Sequence, residues 1–134
     1  MIGIVVVTHG KLALEFRKAL EHVVGPQENF ETVCIEADED MEAKREEISK
    51  AVEVANAGSG VIILTDLFGG TPSNMSISLM QDGNLEVIAG INLPMLVKLA
   101  TSRGSGNLAE IADEAQQAGR KYIQVASKLL DGRE

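Results

Sequence analysis

Two short apolar runs, Ile2 to Val7 and Val61 to Leu64, constrain this chain more than any other feature of it. Neither alternates with polar residues, so a strand formed by either must be covered on both faces. Each run gives way to a segment of helical period. After Thr8-His9-Gly10, the residues Leu12, Phe16, Ala19, Leu20, Val23 and Val24 recur at helix spacing until Gly25-Pro26 stops them. Glu31 to Glu36 alternates Val33 and Ile35 with polar residues, as a more exposed strand does. A charged helix from about Met41 to Ala57 comes next, with Asp40 as its cap and Ile48, Val52 and Ala55 facing inward. Beyond the second run, which extends to Thr65, Asp66 to Pro72 reads as a loop and Ser73 to Gln81 as a short helix. Asp82-Gly83-Asn84 has turn composition and Leu85 to Ile91 reads as a strand. Pro94 suits the first residue of a helix through Ala100, and Asn107 to Ala118 is helical. The tail fits two periods: Tyr122 to Ala126 alternates like a strand, yet Ile123, Ala126, Leu129 and Leu130 keep helix spacing.

Strands alternating with helices imply an α/β fold: an open, doubly wound, mainly parallel sheet with helices on both faces. For four strands the expected order is 2-1-3-4, which puts the topological switch point between strands 1 and 3. Sites form outside the carboxyl ends of strands there. The chemistry is therefore expected in the loops at Thr8 to Gly10 and Asp66 to Pro72, before any motif is considered.

The 134 residues suit a single domain, 1–134, with no repeat or linker dividing them. The net charge of -8 argues against a nucleic-acid partner and suits a basic docking surface, although it equally serves solubility. No apolar run approaches the ~20 residues of a membrane span, so no direct membrane insertion is expected. Met1 leads straight into a strand with no basic region ahead of it, so no secretory signal is expected either. The single cysteine, Cys34, lies between Val33 and Ile35 as a buried strand residue would; it can form no internal disulfide, and a reducing cytoplasm fits best.

The two loops hold His9 and Asp66. A histidine nucleophile needs one ring nitrogen unprotonated and open, and an acceptor on the other to fix tautomer and orientation. Asp66, ending the neighbouring strand, is placed to be that acceptor and to raise the basicity of the attacking nitrogen. An incoming phosphoryl group brings negative charge and needs donors. The run Gly69-Gly70-Thr71-Pro72-Ser73-Asn74 offers them, with Thr71 as an expected N-cap, Pro72 as first helical residue, and the free amides of that helix start as an anion cradle. Gly10 permits close backbone approach beside Thr8 and His9. Taken singly, Asp66 reads equally as a loop-capping carboxylate, and the glycines as turn chemistry; their combination at the switch point favours phosphoryl transfer.

Other features keep plainer readings. His22 is expected on a solvated helix face, and Met75, Met80 and Met95 as core residues. Gly104 to Ala109 matches a dinucleotide-binding glycine pattern by letter but comes after a helix rather than a strand, so its mechanism is missing. No metal-ligand cluster and no cofactor motif is present: two histidines and one cysteine lie far apart in sequence. One Tyr, three Phe and no Trp leave little to stack on a flavin, so a flavodoxin-like flavoprotein is disfavoured.

Ile4 to Gly10 (IVVVTHG), Val61 to Asn74 (VIILTDLFGGTPSN) and Val87 to Leu96 (VIAGINLPML), with the spacing between them, resemble the IIA domain of the mannose-type sugar phosphotransferase system over essentially the whole chain. The resemblance implies a phosphocarrier: His9 phosphorylated, Asp66 hydrogen-bonded to it, and Thr71 standing where many members have serine. It implies the phosphocarrier protein HPr as donor, charged in turn by enzyme I from phosphoenolpyruvate, and a IIB component as acceptor. It also implies a homodimer, in which a C-terminal strand near Tyr122 to Ala126 adds antiparallel to the sheet edge and is exchanged between subunits. Many relatives continue through an Ala/Pro-rich linker into a IIB domain. None comes after Glu134, so the expected acceptor is a separate IIB chain or, if the role is regulatory, another protein that reads the phosphorylation state. Two rivals stand beside this reading: the phosphoryl-donating subunit of dihydroxyacetone kinase, and a non-catalytic module that binds an anion at the Thr71 helix start.

Overall fold

The computed structural model describes residues 1–80 and 84–132. The two apolar runs become adjacent central strands, β1 (Gly3–His9) and β3 (Val61–Thr65). β2 (Phe30–Ile35) and β4 (Leu85–Ala89) flank them, all parallel, in the order β2-β1-β3-β4 expected for this connectivity. Among the described residues the sheet has these four strands. β1 and β3 are buried at every position but His9, the last residue of β1.

Alternate side chains feed two separate layers. Ile2, Ile4, Val6, Ile62 and Leu64 pack under α1 (Leu12–Val24), α4 (Leu93–Ser102) and α5 (Leu108–Lys121). Val5, Val7, Val61 and Ile63 pack under α2 (Met41–Ala55) and α3 (Thr71–Ile77). Each fully buried Ile, Val or Leu contributes about 1.5–3 kcal/mol, so the two strands hold both helical layers.

Helix ends obey local chemistry. Asp40 caps α2 as expected, its side chain accepting the Glu42 amide at 3.0 Å. Asn107 and Glu110 form a reciprocal capping box at the start of α5. α4 starts one residue earlier than Pro94, because the Asn92 side chain accepts the Met95 amide and makes Leu93 the first helical residue. At the amino ends of the strands, Arg103 is buried and donates to the carbonyls of Glu28, Asn29 and Ile2, tying the entries of β1 and β2 together. Burial pulls its guanidinium below the usual arginine range.

Several expectations are corrected. Cys34 is half-buried rather than buried, because β2 is an edge strand. Met95 is a core residue and Met75 packs half-buried against the core, but Met80 is exposed. The helix expected to reach Gln81 ends at Ile77; Gln81 and most of the Asp82-Gly83-Asn84 turn lie outside the described residues. The antiparallel C-terminal edge strand, expected in exchange with a second subunit, is not seen among the described residues of the single chain. Residues 122–125 are irregular and α6 (Ala126–Leu130) is a single exposed turn. A strand needs a neighbouring edge, whereas the tail finds its hydrogen bonds locally, Lys128 and Leu129 donating to the Val125 carbonyl.

Candidate active site

His9 and Asp66 meet at the carboxyl ends of β1 and β3, which are hydrogen-bonded neighbours. His9 Nδ1 lies 2.9 Å from Asp66 Oδ2, and the His9 backbone amide donates to the same oxygen at 3.0 Å. The other carboxylate oxygen accepts the Leu67 amide at 3.1 Å. Asp66 is therefore fixed through both oxygens, and its side chain is 11% exposed against 48% for His9. A carboxylate can only accept, so Nδ1 carries the hydrogen and Nε2 keeps the lone pair. The neutral ring is thus held in one tautomer, with Nε2 left as its acceptor nitrogen.

The loop after β3 returns to the ring from the other side. A Cβ placed on Gly70 would stand 3.0 Å from His9 Cε1 and 3.4 Å from Nε2, so only glycine lets the backbone come this close without moving the imidazole. Gly10 and Gly69 both adopt positive φ, the conformation their turns need. Asn74 Nδ2 donates to the Gly69 carbonyl at 3.4 Å and closes the loop onto α3.

Thr71 is not the N-cap that its sequence position suggests. Gly70 takes that place in extended conformation without a side-chain bond; Thr71 is the first helical residue, exposed, and Pro72 the second. A hydroxyl one residue into the helix is free to face solvent or a ligand rather than its own backbone. Thr8 is buried, and its hydroxyl accepts the Ala13 amide at 2.7 Å, so it is engaged in closing the first turn of α1 rather than turned to the site. The Gly10 amide is likewise engaged, donating to the Ile35 carbonyl at 2.8 Å.

Sequence reasoning placed α1 but gave its start no part in the site. This thirteen-residue helix begins three residues after His9, so its positive end lies close to the ring in sequence, with the Ala13 amide already taken by Thr8. The signal that could have found it is Thr8, a capping residue type just ahead of a helical period. Phe68, at the tip of the loop, is 77% exposed, and Leu12 and Leu67 are exposed as well. His22 is exposed on α1, as expected. Among the described residues there is no group of acids, histidines or cysteines suited to a metal ion, and no helix long and apolar enough to cross a membrane.

Comparison with known proteins agrees with this fold. The chain is 32% identical over 125 residues to the mannose-specific EIIAB component of the phosphotransferase system (PTS) of Escherichia coli, an alignment covering 92% of this chain. The chain spans only 39% of that longer relative. Against the PTS sorbose-specific EIIA component of Lacticaseibacillus casei it is 28% identical, covering 95% of this chain and 92% of the other. The fold superposes on the crystal structure of a phosphotransferase system component EIIA from Streptococcus agalactiae with a TM-score of 0.87 and 28% identity, covering 96% of this chain and 99% of that one. A PTS IIA protein associated with the fucose utilization operon of Streptococcus pneumoniae superposes with a TM-score of 0.81 and 30% identity, covering 95% of each chain. The PTS system fructose IIA component family matches residues 3–116, and this chain belongs to that family.

Proposed function

We propose that this protein is a phosphocarrier of the phosphoenolpyruvate-dependent sugar phosphotransferase system, accepting a phosphoryl group from phospho-HPr on His9 Nε2 and passing it to a IIB component. The observation that carries the reading is the 2.9 Å contact between His9 Nδ1 and Asp66, which leaves Nε2 free to attack. In the forward step the Nε2 lone pair attacks phosphorus in line, the Nε2–P bond forms, and the P–N bond to the donor histidine breaks. The donor ring leaves with its electron pair. His9 gains positive charge, and the Nδ1 proton stays in the bond to Asp66, whose carboxylate stabilises it. Thr71 and the amides at Gly69 and Gly70 steady the transferred oxygens, together with the first turn of α1; Thr8 and Gly10 shape the turn that presents the ring. The donor already carries an activated phosphoryl group, so the step needs no metal or cofactor.

The same reading extends to assembly. A groove of about 560 Å³ runs along the outer edge of β4, lined by Val87, Ile88, Met95, Ala112 and Ile123. Tyr122, Ile123, Val125, Leu129 and Leu130 of the tail are exposed. A cytoplasmic homodimer in which the tails exchange into these grooves as edge strands would cover both. The family match disfavours the dihydroxyacetone kinase alternative.

The test is reconstitution with phosphoenolpyruvate, enzyme I, HPr and a IIB component, with intact-protein mass spectrometry as the readout. Wild type should gain one acid-labile phosphoryl group and lose it when IIB is added, and His9→Ala should gain none. No gain with active donors would overturn the reading and leave the anion-binding module as the better one.

A further inference from the structure

Two hydroxyls beneath the site take no part in the transfer step. Thr65 is the last residue of β3, directly before Asp66, and Ser73 is the third residue of α3. Both are fully buried, and neither hydroxyl has a hydrogen-bond partner among the described residues. Thr65 keeps the alternation of Val61 and Ile63, whose side chains fill the layer under α2 and α3. α3 packs on that layer through Met75, with Leu79 just beyond its end, and buries Ser73. Both hydroxyls therefore lie between the carboxyl end of the sheet and the first turn of α3.

Nearby polar groups are already engaged. Ser76, one turn along α3, donates to the Pro72 carbonyl at 2.7 Å. The Thr65 carbonyl accepts the amides of Gly90 and Ile91 at 2.9 and 3.0 Å. A buried hydroxyl left unmet is costly, and a single water, which takes two to four polar partners, can meet two hydroxyls that face the same layer.

We propose that Thr65 and Ser73 share one buried water molecule, and that this bridge holds the start of α3 at its angle to the end of β3. The end of β3 carries Asp66, which fixes one side of the His9 ring; the start of α3 carries Gly70, which lies against the other. The bridge thus sets the gap in which the imidazole sits, and Thr65 and Ser73 are positioning residues for it. The kinetic consequence rests on the reading of His9 as phosphoryl acceptor; the structural consequence does not.

Three readouts on Thr65→Val, Ser73→Ala, the double variant and the conservative Thr65→Ser test the proposal. In thermal unfolding each of the first two should lower Tm by about 3 °C, and the double variant should fall no further than the worse single one, because both remove the same bridge. Exchange of the His9 Nδ1 proton, monitored by NMR in unphosphorylated protein, should quicken severalfold in both. The kcat for phosphorylation of His9 should fall about tenfold with KM for the donor unchanged, and Thr65→Ser should restore all three. A rise in Tm on either substitution would overturn the proposal, since it would mean the hydroxyls are unmet in the folded protein. Additive losses of Tm, or unchanged proton exchange, would overturn it as well. If wild type accepts no phosphoryl group, the carrier reading fails while Tm and proton exchange still decide the bridge.

Discussion

Replacing Asp66 by Asn changes one oxygen to an NH2 group and leaves the shape of the site intact, so its effect isolates charge and tautomer. Asp66 Oδ2 accepts two hydrogen bonds from His9, and Oδ1 accepts the Leu67 amide. An amide has one accepting oxygen and cannot meet all three donors. With its oxygen toward His9, its NH2 opposes the Leu67 N–H, and the negative charge that stabilises the developing imidazolium is gone. Two unit charges about 4 Å apart interact by about 4 kcal/mol near a protein surface. His9 is half exposed, so solvent reduces this to about 2–3 kcal/mol, or about 30- to 150-fold in rate. With its NH2 toward His9, the amide opposes the backbone N–H and forces Nδ1 to accept. The ring proton then moves to Nε2 and the nucleophile is lost; the matching change in a serine-protease triad costs about 10⁴-fold. The expected fall in kcat for phosphorylation of His9 is therefore about 30- to 10⁴-fold, with KM for the donor little changed. Rapid-quench phosphorylation from phospho-HPr measures it, with Tm as the control for folding. A kcat within about threefold of wild type would refute the reasoning and reduce Asp66 to a loop cap.

The same contacts lead to four further outcomes. Gly70→Ala should slow phosphorylation about tenfold or more without unfolding the protein, because its Cβ would stand 3.0 Å from His9 Cε1 and push the ring off Asp66; loss of the His9 Nδ1–H signal in NMR checks this. Thr8→Val should lower stability by about 1–2 kcal/mol in urea unfolding, since it leaves the Ala13 amide unpaired inside α1. Arg103→Gln should destabilise by about 3 kcal/mol by the same measurement, as the three strand-entry carbonyls lose a charged donor. Glu39 accepts hydrogen bonds from Lys44 and then from the Glu36 amide, which hold its carboxyl below the ordinary value of 4.5. Its contribution is complete above that value and lost as pH falls through the lower folded one, so Glu39→Gln should flatten the fall of Tm between about pH 5 and 3.

The sheet was legible because its two central strands announce themselves: runs such as Ile2 to Val7 and Val61 to Leu64 are stable only under cover on both faces. Once they are central, short right-handed connections leave little choice of strand order, and the switch point brings His9 to Asp66 without any motif. Local detail was less legible. Thr71 looked like a cap because threonine often is one, but the cap position is the one that lies against His9, where only glycine fits, so the hydroxyl falls one position into the helix. Thr8 looked like a site residue by adjacency; strand alternation turns it inward to α1 instead. The tail was illegible for a deeper reason. Its apolar residues satisfy both periods, and which one forms depends on whether another strand edge is supplied, a fact not encoded locally.

The central claim, that Asp66 holds Nδ1 so that Nε2 takes the phosphoryl group, is tested most directly by ¹⁵N and ³¹P NMR of the phosphorylated protein with ¹⁵N-labelled histidine. The predicted spectrum shows phosphorus coupled to His9 Nε2 and a protonated Nδ1 still bonded to Asp66. Phosphorus on Nδ1, on His22, or on a residue other than histidine would contradict the account.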